Sequence, residues 1–367
     1  MITFCSACLS TSTRPRNSFD SEGVCSACQW SRQKETLDWS KRREELTALL
    51  AKARNETTSE YDCLVPVSGG KDGSYVAYQL KHEMGMNPLC VTITPATPTK
   101  LGRKNLEAFM ASGFDVMSFD IDPEKLRKVN LAGLREMGFP YYGWLIAIQS
   151  LPLRVASSFG IPLVIYGEDG ETEYGGDAEH KNRAVVSADY MKRVFLEGGY
   201  GDVLKISGLR DHELAPFRFP SDEELKSVAI THWSYFENWD PYRNYLLAKE
   251  KCGLLDAEAS NDGTFTNFAQ NDQEIYALHT YLMYLKFGFG RANQDACIEI
   301  RRGALTREQG LNLAKIYDGK LEVGAFESFA RYYNVSVSEL QDIISKWVNR
   351  DLFEQVEGDW APRFELR

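Results

Sequence analysis

The sequence predicts an α/β protein built on a doubly wound parallel sheet, with a small amino-terminal metal module and a mainly helical carboxyl-terminal part. Three observations carry this. Strand-like and helix-like segments alternate from Asp62 to Asp169. Two Cys-x-x-Cys pairs, Cys5 with Cys8 and Cys25 with Cys28, precede them. Helical patterns rich in aromatic and charged residues follow Ser221. Alternating β and α segments pack as a parallel sheet covered on both faces, and ligands bind such sheets at the carboxyl ends of the strands.

Residues 1–30 are turn-rich and poor in apolar residues, so they need a staple to fold. Residues 31–60 predict an amphipathic helix, with Leu46, Leu49, Leu50 and Ala53 on one face, and then a linker. Residues 61–220 predict the α/β domain. Its strands are "DCLVPV", "NPLCVTIT", "FDVMSFDID" and "IPLVIYGED". Its helices include "SYVAYQLKHEM", "GRKNLEAFMAS", "PEKLRKVNLAGLREM" with Pro123 at the first turn, and an apolar helix bent at Pro152. Residues 221–367 predict a mainly helical region that completes the active site, beginning with "SDEELKSVAI" and "DPYRNYLLAKEKCG".

The chain has 367 residues, 43% hydrophobic and 26% charged, an ordinary globular composition. No apolar run is long enough to span a membrane, and "MITFCSACLS" lacks the basic and apolar parts of a secretory signal, so a cytoplasmic location is expected. The net charge of −10 argues against a nucleic-acid partner.

In Cys5-x2-Cys8 and Cys25-x2-Cys28 each pair can turn both thiolates towards one ion. Four thiolates close a tetrahedral zinc site with no open position, which makes it structural. Disulfides or free thiols are disfavoured by the spacing and by the lack of a secretory signal, and an iron centre or a redox role is the remaining alternative to zinc.

The stretch Ser68-Gly69-Gly70-Lys71-Asp72-Gly73-Ser74 stands where a strand hands over to a helix. The glycines let the backbone turn and bare its N–H groups to an anion. Ser68 and Ser74 add hydroxyls and Lys71 adds charge. Asp72 would repel a phosphate unless a divalent cation such as Mg²⁺ lies between them. Lys71 directly follows the glycines, so this is not the Walker loop.

The string resembles the pyrophosphate loop of the ATP pyrophosphatase (PP-loop) superfamily, with Gly73 where that pattern often has serine. Together with the cysteine pairs, "GEDGETEYGG" at 167–176 and "KFGFGRANQDACIEIRRGALTREQ" at 286–309, the sequence resembles the bacterial N-acetyl sugar amidotransferases of surface-polysaccharide and flagellar sugar biosynthesis. The resemblance implies a PP-loop fold of the adenine nucleotide α-hydrolase type. It also implies a reaction in which ATP activates an acetamido oxygen and ammonia replaces it to give an acetamidino group.

On that footing Ser68, Gly69, Gly70, Lys71, Asp72, Gly73, Ser74 and Gly167 are expected to bind ATP, with Asp72 on Mg²⁺. Asp72, Lys71, Glu168, Lys286 and Arg291 are the candidate catalytic residues. Asp169, Glu171, Glu173 and His180 are candidates for the substrate, an N-acetylated sugar or nucleotide sugar. A capping role at a helix end competes for Lys286 and Arg291, and a solvated loop competes for the acidic residues. Tyr141, Tyr142, Trp144, Trp233, Tyr235, Phe236 and Trp239 read as core more than as stacking platforms.

Residue 2 is isoleucine, and Cys63, Cys90, Cys252 and Cys297 have no nucleophile-elbow context, so no glutaminase is expected in this chain. The resemblance implies a separate glutaminase and a barrel-type ammonia-channelling subunit. The competing reading is a zinc-containing PP-loop tRNA thiolase.

Overall fold

The computed structural model describes residues 2–322 and 324–367. Its central sheet has six strands, β1 (Cys63–Pro66), β2 (Pro88–Ile93), β3 (Val116–Phe119), β4 (Leu163–Tyr166), β5 (Val185–Val186) and β6 (Ala229–His232). The order is β3-β2-β1-β4-β6-β5, parallel except for the antiparallel edge pair β5–β6. Residues of β1, β2 and β4 are almost all buried, because helices cover both faces of a parallel sheet. Leu64 pairs with Leu89 on one side and Val164 on the other. The strand order reverses at β1 and β4, so the loops leaving those two strands flank the crevice where such sheets bind ligands.

The amino-terminal helices are α1 (Ser26–Lys34) and α2 (Trp39–Glu56). Helices α3 (Lys71–Tyr78) and α4 (Lys100–Ala111) follow β1 and β2. Helix α5 (Pro123–Met137) starts where the Asp122 carboxylate accepts the N–H groups of Glu124 and Lys125 at 2.9 and 3.1 Å. Helix α6 (Tyr142–Phe159) runs through Pro152 and ends at Gly160, whose φ of 67° only glycine adopts freely. A short α7 (Gly170–Tyr174) follows β4.

Two sequence expectations change here. "SDEELKSVAI" is not a helix: 222–227 form turns and Ala229–His232 enter the sheet beside β4, in register from Leu163↔Ala229 to Tyr166↔His232. The β-branched residues of "VAITH" fit a buried pleated surface better than a helix. The α/β sheet therefore extends past residue 220. The segment "CIEIRRG" lies in and just beyond the helix Arg291–Arg301. The remaining carboxyl-terminal residues form helices closed by an antiparallel hairpin, Phe353–Val356 with Asp359–Pro362. Among the described residues no helix is long and apolar enough to cross a membrane.

Residues 2–30 dock between the carboxyl-terminal helices and the segment after β4. Arg307 donates to the carbonyls of Cys8 and Cys5 at 2.9 and 3.2 Å, and Asn293 donates to that of Leu9 at 3.2 Å. On the other side Arg16 pairs with Glu171, and Trp30 and Lys34 both reach Glu173.

Candidate active site

The crevice holds a cavity of about 330 Å³. One wall is the loop Ser68–Gly73, and the opposite wall is Thr266–Asp272 with Tyr276 and Arg291. The loop's shape follows from its glycines. Gly69 has φ 78°, and a Cβ there would fall 2.5 Å from the Leu106 backbone nitrogen. At Gly73 a Cβ would fall 2.9 Å from the Pro66 carbonyl, which gives a steric reason for glycine where the resembled pattern has serine. Gly70 is the N-cap of α3 and offers no side-chain cap, so the first-turn N–H groups are available to an anion.

Lys71 and Asp72 open α3 and form an ion pair with each other. The other Asp72 oxygen accepts from Asn244 Nδ2 at 3.2 Å. Asn244 is fully buried on the helix Pro241–Cys252, which packs along α3. Glu168 follows β4 and accepts from the Tyr174 hydroxyl at 3.2 Å. Its pKa is raised to about 7, by burial first and then by the charge of Asp72. Across the cavity Arg291 Nε donates to Asp295 Oδ1 at 2.8 Å, and Asp295 Oδ2 accepts from Thr264 at 2.5 Å. Burial raises Asp272 to about 6. The lining thus sets five carboxylates, Asp72, Glu168, Asp272, Asp295 and Glu299, against Lys71 and Arg291. A polyphosphate entering such a site needs divalent cations to offset like charge, and Asp72 and Glu168 are the residues placed to hold one. Tyr141, Tyr242, Leu254 and Phe268 supply apolar surface for a base.

The remaining candidates lie elsewhere. Ser74 is 1% exposed beneath the loop, and its hydroxyl has no partner. Gly167 sits behind Asp72, where a Cβ would be 3.4 Å from the Asp72 Cβ. Asp169 is the N-cap of α7, accepting from the Glu171 N–H and the Thr172 hydroxyl at 3.0 and 3.1 Å, and burial raises it to about 6. Glu171 and Glu173 hold the amino-terminal module through Arg16, Trp30 and Lys34. His180 is buried against Tyr190, with ring centroids 3.9 Å apart. Lys286 ends the helix Tyr276–Phe287 and donates to the Met137 carbonyl at 2.8 Å, and burial lowers it to about 8. That is the helix-end role weighed against catalysis, and it turns Lys286 away from the cavity. Of the aromatic group only Tyr141 lines the cavity.

Sequence reasoning missed Asn244, Tyr174, Asp272, Asp295 and the Thr264–Phe268 stretch. Tyr174 and Asp295 fall inside the motifs at 167–176 and 286–309 without being assigned a role there, and the others lie outside both motifs. Asp295 sits four residues after Arg291, the helical spacing of an ion pair, and this was the one available signal.

The four amino-terminal cysteines form a second centre. Cys5, Cys8, Cys25 and Cys28 are all buried, with ligand atoms within 4.8 Å of one another. The Sγ separations of 4.0 Å for Cys5–Cys28 and 3.6 Å for Cys8–Cys25 bracket the ~3.8 Å edge of a tetrahedron with metal–sulfur bonds of about 2.3 Å. Backbone N–H groups of Ala7, Cys8 and Cys25 point at Cys5 Sγ from 3.2–3.4 Å, and that of Ser10 points at Cys8 Sγ from 3.3 Å. No disulfide forms among the described residues. The residues fit a bound metal ion.

Residues 262–365 match the family described as "LPS biosynthesis protein WbpG-like, C-terminal domain". No curated protein matches the chain. Among solved structures the U34-tRNA thiolase NcsA from Methanococcus maripaludis, with its [4Fe-4S] cluster, is similar at 15% identity. That match covers 72% of this chain and 79% of that one, with a TM-score of 0.32. NMN synthetase from Francisella tularensis is similar at 15% identity over 60% of this chain and 89% of that one, with a TM-score of 0.27. Both likenesses are too distant to carry an activity or a substrate across.

Proposed function

We propose that this chain, whose carboxyl-terminal part is WbpG-like over 262–365, is the synthetase subunit of an ATP-dependent N-acetyl sugar amidotransferase. One observation carries the reading: the glycine loop at 68–73 and residues of the WbpG-like part, from Thr266 to Glu299, line the same cavity. A nucleotide-activating loop and a wall belonging to a surface-sugar family meet there.

An acetamide carbon resists ammonia until its oxygen becomes a leaving group. In the proposed reaction the acetamide oxygen attacks the α-phosphorus of ATP and pyrophosphate leaves. Ammonia then attacks the imidate carbon, the C–O bond breaks, and the oxygen departs with AMP. The loop N–H groups and Lys71 hold the β- and γ-phosphates. Arg291, steadied by Asp295, faces the charge that develops at the α-phosphate. Asp72 and Glu168 would hold Mg²⁺, which supplies charge neutralisation. Positioning and electrostatics do most of this work, as in other phosphate transfers.

The four-cysteine centre would hold zinc, as its ~3.8 Å sulfur edges suit one ion bound by four thiolates. An iron–sulfur cluster spreads its thiolates over two or more irons and so needs the set of four wider apart than one ion does. The thiolase alternative calls for a cysteine in the cavity, and among the described residues none lines it. Cys63, Cys90 and Cys252 are core thiols whose pKa burial raises. A cytoplasmic location and a separate glutaminase, with or without a barrel subunit, complete the reading.

The test is ATP–pyrophosphate exchange with candidate N-acetylated sugars, followed by mass spectrometry of the product made with ammonium salts. An exchange of oxygen for nitrogen at one acetamido group is expected. Absence of exchange with every N-acetylated sugar, or sulfur incorporation into tRNA, would overturn the assignment.

A further inference from the structure

A larger cavity, of about 620 Å³, adjoins the nucleotide crevice and shares Gln270, Asn271 and Tyr276 with its wall. Asp262, Glu274 and Glu322 line it, and among the described residues no lysine, arginine or histidine does. Gln273 lines it too. It is 1% exposed, and neither of its amide atoms has a hydrogen-bond partner among the described residues. The wall is fixed: Thr99 N–H donates to the Asp272 carbonyl at 3.1 Å, and Glu274 N–H to that of Thr97 at 2.9 Å. Three carboxylates without a cation disfavour an anionic occupant. A small cation with several N–H donors suits both the carboxylates and the spare Gln273 carbonyl.

We propose that this cavity admits ammonium to the crevice. The inference rests on the amidotransferase reading, which needs ammonia, while among the described residues no cysteine stands in the crevice to release it from glutamine. Overall, amide, ammonium and ATP give amidinium, AMP and pyrophosphate. The amide oxygen leaves on AMP and one proton passes to solvent. Ammonium drawn in by the carboxylates sheds a proton before its nitrogen attacks, and the product amidinium carries the positive charge out.

The test uses the full chain, ATP, an N-acetylated sugar that supports exchange, and ammonium chloride. Glu274 and Glu322 are exposed, so the double variant Glu274→Gln/Glu322→Gln should fold. Its KM for ammonium should rise about three- to tenfold at low ionic strength. Its kcat at saturating ammonium and its ammonium-free ATP–pyrophosphate exchange should stay within twofold. With hydroxylamine, uncharged near neutral pH, as the nucleophile, the variant should match the parent. An unchanged KM for ammonium in a variant that still exchanges would overturn this inference alone. No exchange by the parent chain with any N-acetylated sugar would overturn the amidotransferase reading, and this inference with it.

Discussion

The four-cysteine centre and the crevice beside the glycine loop both gather ligands of like charge, yet they are built in opposite ways. In the centre the sulfurs are sealed from solvent and receive backbone N–H groups from Ala7, Cys8, Ser10 and Cys25. The centre comes from a single stretch of 24 residues, Cys5 to Cys28. In the crevice the carboxylates stand open to a cavity and come from segments as far apart as Asp72 and Glu299. Glu168 and Asp272 are held well above the ordinary carboxylate range. A closed site stores stability, whereas an open one keeps unbalanced charge in readiness for a ligand.

The largest effect should come from breaking the open site. Asp72→Asn removes a charge from the proposed metal position and weakens its pair with Lys71, leaving the buried Asn244 in place. Sugar-dependent ATP–pyrophosphate exchange should fall at least ~100-fold, with thermal unfolding shifted by only a few degrees. Lys71→Ala should do the same. Near-normal exchange in either variant would remove the loop from the chemistry.

Breaking the closed site should give the reverse pattern. Cys25→Ser leaves three thiolates and an incomplete tetrahedron. The metal content should drop from one ion per chain to near zero, and the amino-terminal segment should become sensitive to protease. Several kcal/mol of stability should be lost, because metal binding and folding of such a module are one process. Stoichiometric metal in the variant would show that the four sulfurs do not act together.

The same contrast explains what could be read from the sequence. The cysteine centre was legible because its ligands lie close in the chain and their spacing is the geometry. The glycine loop was legible for the same reason, and so were strands β1 to β4, whose apolar runs stand between turn signals. The far wall was not, apart from Arg291. Asn244 reaches Asp72 only because the helix Pro241–Cys252 packs along α3, and Asp272 enters the cavity only because 271–275 pairs with 97–99. Such contacts follow from tertiary packing, which no local pattern encodes. Glu171 and Glu173 misled for a related reason. They lie in a glycine-rich acidic loop that suggests a ligand, but the ligand is the protein's own amino-terminal module.

A smaller effect sharpens the electrostatic half of the comparison. The folded pKa of Glu168 is raised from 4.5 to about 7. The folded state therefore binds this proton more tightly than the unfolded state. The resulting stability is full below about pH 4.5 and is lost as pH rises through 7. Glu168→Gln removes that penalty. At pH 8 without Mg²⁺ it should be more stable than the parent by about 1–3 kcal/mol, while its exchange activity falls tenfold or more. Denaturant melts at pH 5 and pH 8 measure this directly. A variant no more stable at pH 8 would mean that Glu168 is already balanced in the free protein.

The smallest effect tests the boundary between the two regions. Glu171 accepts from Arg16 at 2.8 and 2.9 Å and from the Asp177 N–H at 2.7 Å, so it ties the cysteine module to the loop after β4. Arg16 also reaches Glu197, and both partners keep some contact with water, so the pair is only partly shielded. Glu171→Gln keeps the shape and one acceptor oxygen while removing the charge. A stability loss of about 0.5–1.5 kcal/mol is expected, largest at low salt, with the sugar KM and exchange rate within twofold of the parent. A tenfold rise in sugar KM at unchanged stability would put Glu171 in the substrate site, and the docking surface of the module would then be part of the active site.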